Sequence, residues 1–209
     1  MVEKRMTEKE SLEIITKMIE RTKVRYSLGD GNILLMWGYL TVAVSLLVWG
    51  LLWLTRNNAC NWCWFLIPLV GGIATSLMAK KKHEAGAAIS YSDRIISRLW
   101  TAVGLSFLLL TIFCLFFTYA LSVDCWVAML VYCLIVTPAA EMVNGIVLKE
   151  ASMQWGGAIA LVIGLFTLCC VTGGIVLYAS WFMPLFIIAF IVMMIIPGHI
   201  INRKASRNA

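Results

Sequence analysis

Hydrophobic residues occur along the chain in six long runs, separated by short polar or charged segments. The runs cover residues 33 to 55, 62 to 79, 99 to 121, 126 to 148, 154 to 177 and 181 to 201. A helix needs about 20 apolar residues to cross a bilayer core of roughly 30 Å. The runs lack the polar and apolar alternation of barrel strands, and backbone in lipid must satisfy its own hydrogen bonds. The pattern therefore predicts an all-α polytopic membrane protein with six transmembrane helices.

Composition and charge support this class and add an orientation. The 209 residues are 61% hydrophobic and 13% charged, whereas soluble domains have about 45–50% and about 25%. Of the 17 Lys and Arg residues, all except Arg56 fall on one side of the predicted topology. The positive-inside rule then predicts that both termini are cytoplasmic. The net charge of +6 is mainly a topology signal, so we expect no nucleic-acid partner.

Tryptophans begin the helices at regular separations, which predicts three helical hairpins. Within each pair of runs the separations are 27, 26 and 26 residues. A triplicated ancestor explains this spacing, and so does the general enrichment of tryptophan at membrane interfaces. The tryptophans are Trp37, Trp64, Trp100, Trp126, Trp155 and Trp181.

The segment before the first run predicts a cytoplasmic amphipathic helix. Thr7 and Glu10 form a capping-box pattern, apolar residues recur at helical spacing from Leu12 to Tyr26, and Gly29 is placed to end the helix. Such a helix lies on the anionic lipid surface, or it docks a soluble protein or a second copy of the chain. The predicted units are residues 1–32 (helix and turn), 33–201 (transmembrane domain) and 202–209 (basic cytoplasmic tail).

Four segments in this order resemble a family of small six-span bacterial inner-membrane proteins. They are GDGNILLMWGYL, WCWFLIPLVGG, SDRIISRLW and MMIIPGHIIN, with WGY, LIP and IIPGH the most specific parts. The resemblance covers nearly the whole chain and implies a bacterial inner-membrane location. The family is uncharacterised, so the resemblance implies no catalytic or binding residues.

A polar face on the fourth run is the candidate intramembrane site. Thr137, Glu141 and Asn144 follow the spacing i, i+4 and i+7, which places them on one side of a helix. Glu141 lies 15 residues after Trp126, about 22 Å along the helix axis. Pro138 removes one helix hydrogen bond and frees a carbonyl nearby. The pattern indicates binding of a small solute, an ion or a proton.

Structural roles compete with this interpretation. Glu141 is about two turns from the cytoplasmic end, where its own stem could bring it to water, or where it could pair with Arg98 or with a lysine of the basic loop. His199 lies 18 residues after Trp181, as Asn144 lies 18 after Trp126. If the hairpins are related, the two residues lie at a similar depth and could line one vestibule that faces the cytoplasm. An interfacial role explains His199 equally.

Three cysteines lie at the outer ends of the predicted helices. Cys60 and Cys63 form a C-x-x-C, and Cys125 precedes the fourth run. They suggest a thiol oxidoreductase that passes electrons to a quinone, or a structural disulfide. The motif is short and lacks a thioredoxin-like context. No other catalytic motif occurs, and with two histidines we predict no metal site, no cofactor and no catalytic residue.

Small residues on two runs predict close helix packing. Gly156, Ala160 and Gly164 repeat every four residues on the fifth run, and Gly71 and Gly72 are adjacent on the second. The fifth helix is therefore expected inside the bundle or at a homo-oligomer interface.

Together these features favour a non-enzymatic membrane module that binds a cytoplasmic partner or senses a membrane signal. The first alternative is a transporter or channel for a small solute or ion that uses the fourth helix. The second is the outer-face thiol oxidoreductase. The expected partners are the bilayer, anionic headgroups, a cytoplasmic protein and a second copy of the chain.

Overall fold

Helices account for nearly all of the computed structural model, which describes residues 31–84 and 91–208. The described residues contain no strand. The helices are α1 (Asn32–Thr55), a 3-10 helix (Asn58–Phe65), α2 (Leu66–Glu84), α3 (Tyr91–Leu121), α4 (Trp126–Val147), α5 (Ala151–Thr172), α6 (Ala179–Phe190), a π-helix (Ile191–Ile195) and α7 (Ile196–Asn208).

Six helical segments of the described residues are long and apolar enough to cross a membrane, which confirms the all-α polytopic class. The sixth is continuous through α6, the π-helix and α7, from Ala179 to Arg207. Helix α5 ends at Thr172 rather than at residue 177, because two glycines follow and Gly174 has a φ of +77°. The predicted amphipathic helix of residues 7–26 lies outside the described residues.

The interior is built mainly from α1, α4, α5 and the sixth span. The most extensive packing joins α4 to α5, and α5 also packs against the π-helix, which contacts α1 on another side. Phe182, Phe186 and Phe190 form an aromatic row in this core, and the last two have ring centroids 4.9 Å apart. Helices α2 and α3 are peripheral, and most of their apolar side chains face outward, where a bilayer would cover them.

The three predicted hairpins are only part of this arrangement. The pairs α1–α2, α3–α4 and α5–α6 are each in contact, yet the closest pairing, α4–α5, joins two different hairpins. The internal repeat therefore stays a prediction.

Glycines let α5 approach carbonyl groups of its neighbours. Pro138 has no N–H, so the Leu134 carbonyl loses its helical partner, and a Cβ at Gly164 would overlap that oxygen. A Cβ at Gly156 would lie 2.5 Å from the Val192 carbonyl oxygen. The third member of the stripe, Ala160, is fully buried.

Of the two glycines on α2, only one packs closely. A Cβ at Gly71 would lie 2.5 Å from the Trp37 ring, whereas Gly72 has no atom of another residue within 4 Å of such a Cβ. The packing prediction was wrong for Gly72, because adjacent helical residues point about 100° apart and only one of them faces α1.

The π-helix interrupts the sixth span where the core is tightest. The Ile196 N–H bonds to the Ile191 carbonyl, five residues earlier. The next residue, Pro197, has no N–H, so it cannot donate the following bond to Val192. Short π segments within α-helices are rare and occur frequently at functional sites.

One end of the bundle, which we call the basic end, carries the first residues of α1, the last residues of α7 and the α4–α5 turn. Asn202 Oδ1 accepts from the Gly31 N–H at 3.0 Å, and Asn202 Nδ2 donates to Asn32 Oδ1 at 2.7 Å. Lys204 Nζ donates to both carboxylate oxygens of Glu150, at 2.7 and 2.8 Å. These bonds tie three helices together at the basic end.

Candidate functional site

The predicted polar face of α4 points into the protein. Thr137, Glu141 and Asn144 are 6%, 0% and 3% exposed. Their neighbours on the same side of the helix, Leu134 and Gly145, are also buried against α5. The helical spacing placed these three side chains on one face of α4, and the structure shows that this face points inward.

Two side-chain oxygens on this face have no hydrogen-bond partner among the described residues. Asn144 Nδ2 donates to Glu141 Oε2 at 3.2 Å. Glu141 Oε1 and Asn144 Oδ1 are buried and accept no bond. Each unsatisfied buried polar group costs about 1–3 kcal/mol. The pair therefore presents two acceptors whose hydrogen-bonding capacity is unused.

Neither structural explanation for Glu141 fits this geometry. The side chain is fully buried, so it does not reach water along its own stem. Its hydrogen bond comes from Asn144, and in the described part of the chain neither Arg98 nor any other cation bonds to it. The expectation of an Arg98 pair was wrong because Arg98 lies on the peripheral helix α3.

Two adjacent glycines of α5 allow close packing against α4 and the π-helix near Glu141. A Cβ at Gly157 would lie 2.8 Å from the Pro138 carbonyl oxygen and 2.7 Å from Met142, which bracket Glu141 on α4. The preceding residue, Gly156, faces the π-helix. At these two positions α5 therefore approaches both α4 and the π-helix without a side chain of its own.

His199 lies apart from this face. Its side chain is exposed, and its Nε2 is 2.8 Å from the Tyr39 hydroxyl on α1. The predicted shared vestibule is therefore not formed, because the side chain of His199 points to the surface of the bundle.

Other buried polar groups in the interior are satisfied. Ser45 Oγ donates to the Thr41 carbonyl at 2.7 Å, and Thr167 Oγ1 donates to the Ile163 carbonyl at 2.8 Å. Such bonds to the preceding turn are common for hydroxyl side chains in helices. The Glu141–Asn144 pair differs from these residues, because two of its buried oxygens have no hydrogen-bond partner.

Sequence reasoning missed a second buried acid. Glu150 is 2% exposed and pairs with Lys204. It lies in the α4–α5 turn, where a charged residue is expected on the surface. Nothing in the sequence signals that the basic tail folds back over it.

Cys60, Cys63 and Cys125 form no disulfide in the structure. All seven cysteines lie within the described residues and are free thiols. Cys60 and Cys63 are in the 3-10 helix, where Cys60 Sγ is 3.2 Å from Thr55 Oγ1. Cys125 instead neighbours Cys114, whose Sγ donates to the Cys125 carbonyl at 3.8 Å.

No family model, curated protein or solved structure matches this chain. The resemblance carried by the WGY, LIP and IIPGH segments stays a prediction.

Proposed function

We propose that this multi-pass protein binds a proton or a small monovalent cation at Glu141 and Asn144 and carries it across the membrane. The observation behind the proposal is the pair of buried, unpartnered oxygens on an inward face of a transmembrane helix. Ionisable residues within transmembrane segments are costly and commonly belong to ion or proton pathways.

Charge and space both favour a small ion. An ionised carboxylate inside a membrane protein needs a compensating positive charge, and no side-chain cation among the described residues supplies it. The surrounding backbone is close, since even a Cβ at Gly157 would contact Pro138 and Met142. A proton or a bare monovalent cation fits such a place, whereas an organic solute does not.

Two helical irregularities support a conformational change that opens the ion site to each side of the membrane in turn. Transport requires the site to open alternately to the two sides, and Glu141 is closed off in this conformer. Pro138 interrupts regular helical bonding on α4 close to Glu141, and the π-helix interrupts it on the sixth span, on the other side of α5. Interrupted helices at the site are a recurring device of membrane transporters.

The proposed location is the bacterial inner membrane, with the basic end in the cytoplasm. The segments that resemble the six-span family support the location. The distribution of Lys and Arg supports the orientation. An outward-facing Arg56 is then the single exception among the 17 basic residues.

The proposal is tested by ion flux into proteoliposomes that contain a pH-sensitive dye. Under an imposed gradient of Na⁺, K⁺ or Li⁺, the protein should move protons or the cation faster than empty liposomes do. Glu141→Gln should lower the rate by at least about tenfold, because the glutamine amide neither takes up a proton nor carries a negative charge that would bind a cation. Deleting residues 1 to 28 should leave the flux intact.

Asp124→Asn is the matched control, because it makes the same carboxylate-to-amide change away from the site. Asp124 Oδ1 caps the Trp126 N–H at 3.0 Å, and asparagine caps equally well. Equal flux through the parent and Glu141→Gln, or no flux above empty liposomes for any of the three ions, would overturn the proposal.

A role as a partner-binding module also stays a proposal. The bonds from Asn202 to Gly31 and Asn32 fix the start of α1 against α7 at the basic end. An amphipathic helix such as the sequence predicts before α1 is suited to recruit a cytoplasmic protein at a surface of anionic headgroups.

A further inference from the structure

A cavity lies at the end of the bundle opposite the basic end, between α3, α4 and the 3-10 helix. Its volume is about 110 Å³. Aromatic rings wall one side, with Trp62 and Phe65 each in edge contact with Trp126, at centroid distances of 5.7 and 6.0 Å. The cavity is separate from the Glu141 site, because Glu141 lies 15 residues further along α4 than Trp126.

Three sulfur atoms from two helices line this cavity. Cys114 comes from α3, and Cys125 and Met129 come from the start of α4. Cys125 and Met129 are four residues apart, so their side chains lie on one face of the helix. The Cys114 thiol donates to the Cys125 carbonyl at 3.8 Å, so the two cysteines are in contact across the cavity wall.

The neighbouring threonine hydroxyl groups do not compete as ligands. Thr111 Oγ1 donates to the Phe107 carbonyl at 2.8 Å, and Thr118 Oγ1 donates to the Val123 carbonyl at 3.3 Å. What remains for a ligand is two thiols, one thioether, aromatic faces and the hydroxyl of Tyr119, whose side chain is largely exposed. This is a soft, weakly hydrated environment.

We propose that Cys114, Cys125 and Met129 form a binding site for a soft monovalent metal ion, Cu(I) or Ag(I). Thiolate and thioether ligands select such ions, which accept two or three sulfur donors. A structural zinc site needs four ligands, and no three His, Cys, Asp or Glu side chains cluster in residues 31–84 and 91–208. On binding, each coordinating thiol gives its proton to the solvent and no electron is transferred.

Cys125 gives the ion a route to the site. It is half-buried at the first turn of α4, whereas Cys114 is 7% exposed. An ion arriving from the solvent at this end meets Cys125 first and is then enclosed by Cys114 and Met129.

Titration of the purified, reduced full-length protein with Ag(I) under anaerobic conditions tests the site. Ag(I) is the probe because it does not cycle between oxidation states under these conditions. With Cys60 and Cys63 replaced by serine, to remove the C-x-x-C thiols, the protein should bind one tight equivalent. Cys114→Ser and Cys125→Ser should each weaken that equivalent by more than about 100-fold, since even changes outside the ligand shell cost roughly 10–100-fold.

Cys169→Ser is the matched control, because Cys169 is an exposed thiol on α5, away from the cavity. It should keep the tight equivalent. The proposal is wrong if both cavity variants keep it, or if Cys169→Ser loses it as fully as they do. A parent protein that purifies with a Cys114–Cys125 disulfide, detected by mass, would also contradict it.

X-ray absorption at the silver edge, on the protein without Cys60 and Cys63, provides a test that needs no substitution in the cavity. One bound Ag(I) should show only sulfur neighbours. Nitrogen or oxygen neighbours in the first shell would place the ion elsewhere and overturn the assignment.

Discussion

Replacing Glu141 with methionine and Asn144 with leucine in one chain should make the protein more stable and abolish its response to cations. Glu141 Oε1 and Asn144 Oδ1 are buried without partners. Removing both residues removes two unsatisfied groups, each worth about 1–3 kcal/mol, and replaces them with apolar groups of similar size. We expect the free energy of unfolding in detergent to rise by about 2 kcal/mol, with no cation-dependent flux.

The control for this prediction is Thr167→Val. Its hydroxyl is equally buried but bonds to the Ile163 carbonyl, so its removal should bring no gain. A double variant that unfolds more easily than the parent would mean that Glu141 and Asn144 hold the bundle together, and the pair would then be structural. A gain in stability at the expense of activity is the usual signature of a functional site.

Replacing Gly164 with leucine should prevent the bundle from folding stably. A Cβ at this position already overlaps the Leu134 carbonyl oxygen. Overpacking typically costs about 1–3 kcal/mol when side chains can move aside. Here the obstacle is backbone next to Pro138, so we expect a larger loss, and even Gly164→Ala should lower the melting temperature. The measurement is thermal unfolding in detergent, followed by size-exclusion chromatography.

Gly72→Leu is the matched control, because nothing lies within 4 Å of a Cβ at Gly72. Leucine also has a better helix propensity than glycine, by about 0.8–1 kcal/mol. The control should therefore be as stable as the parent or slightly more stable. A Gly164→Leu protein that melts with the parent would show that α5 does not lie against α4 as described.

The six spans followed from the sequence because the length of a hydrophobic run is a local property. The shared face of Thr137, Glu141 and Asn144 followed as well, since helical spacing fixes which side chains share a side, whereas only the structure shows that this face points inward. Neither argument depends on which helices are neighbours, and both agree with the structure.

The remaining features depend on how the helices are arranged, which spacing does not encode. Arg98 was expected near Glu141, but it belongs to a helix outside the core. Spacing gave Cys125 no cysteine partner, and in the structure it contacts Cys114 on α3. The Glu150–Lys204 pair joins residues 54 positions apart, so only the folded chain brings these charges together.

Infrared difference spectroscopy of Glu141 tests most directly whether this residue binds an ion inside the bundle. Spectra of the parent and of Glu141→Gln are recorded while pH and the concentrations of Na⁺, K⁺ and Li⁺ are varied, and the subtraction isolates the Glu141 carboxyl bands. We predict that these bands change with pH or with one of the cations, as a proton or a cation enters and leaves the site. Carboxylate bands that stay the same under all of these conditions would contradict the account and make Glu141 a permanently ionised structural residue.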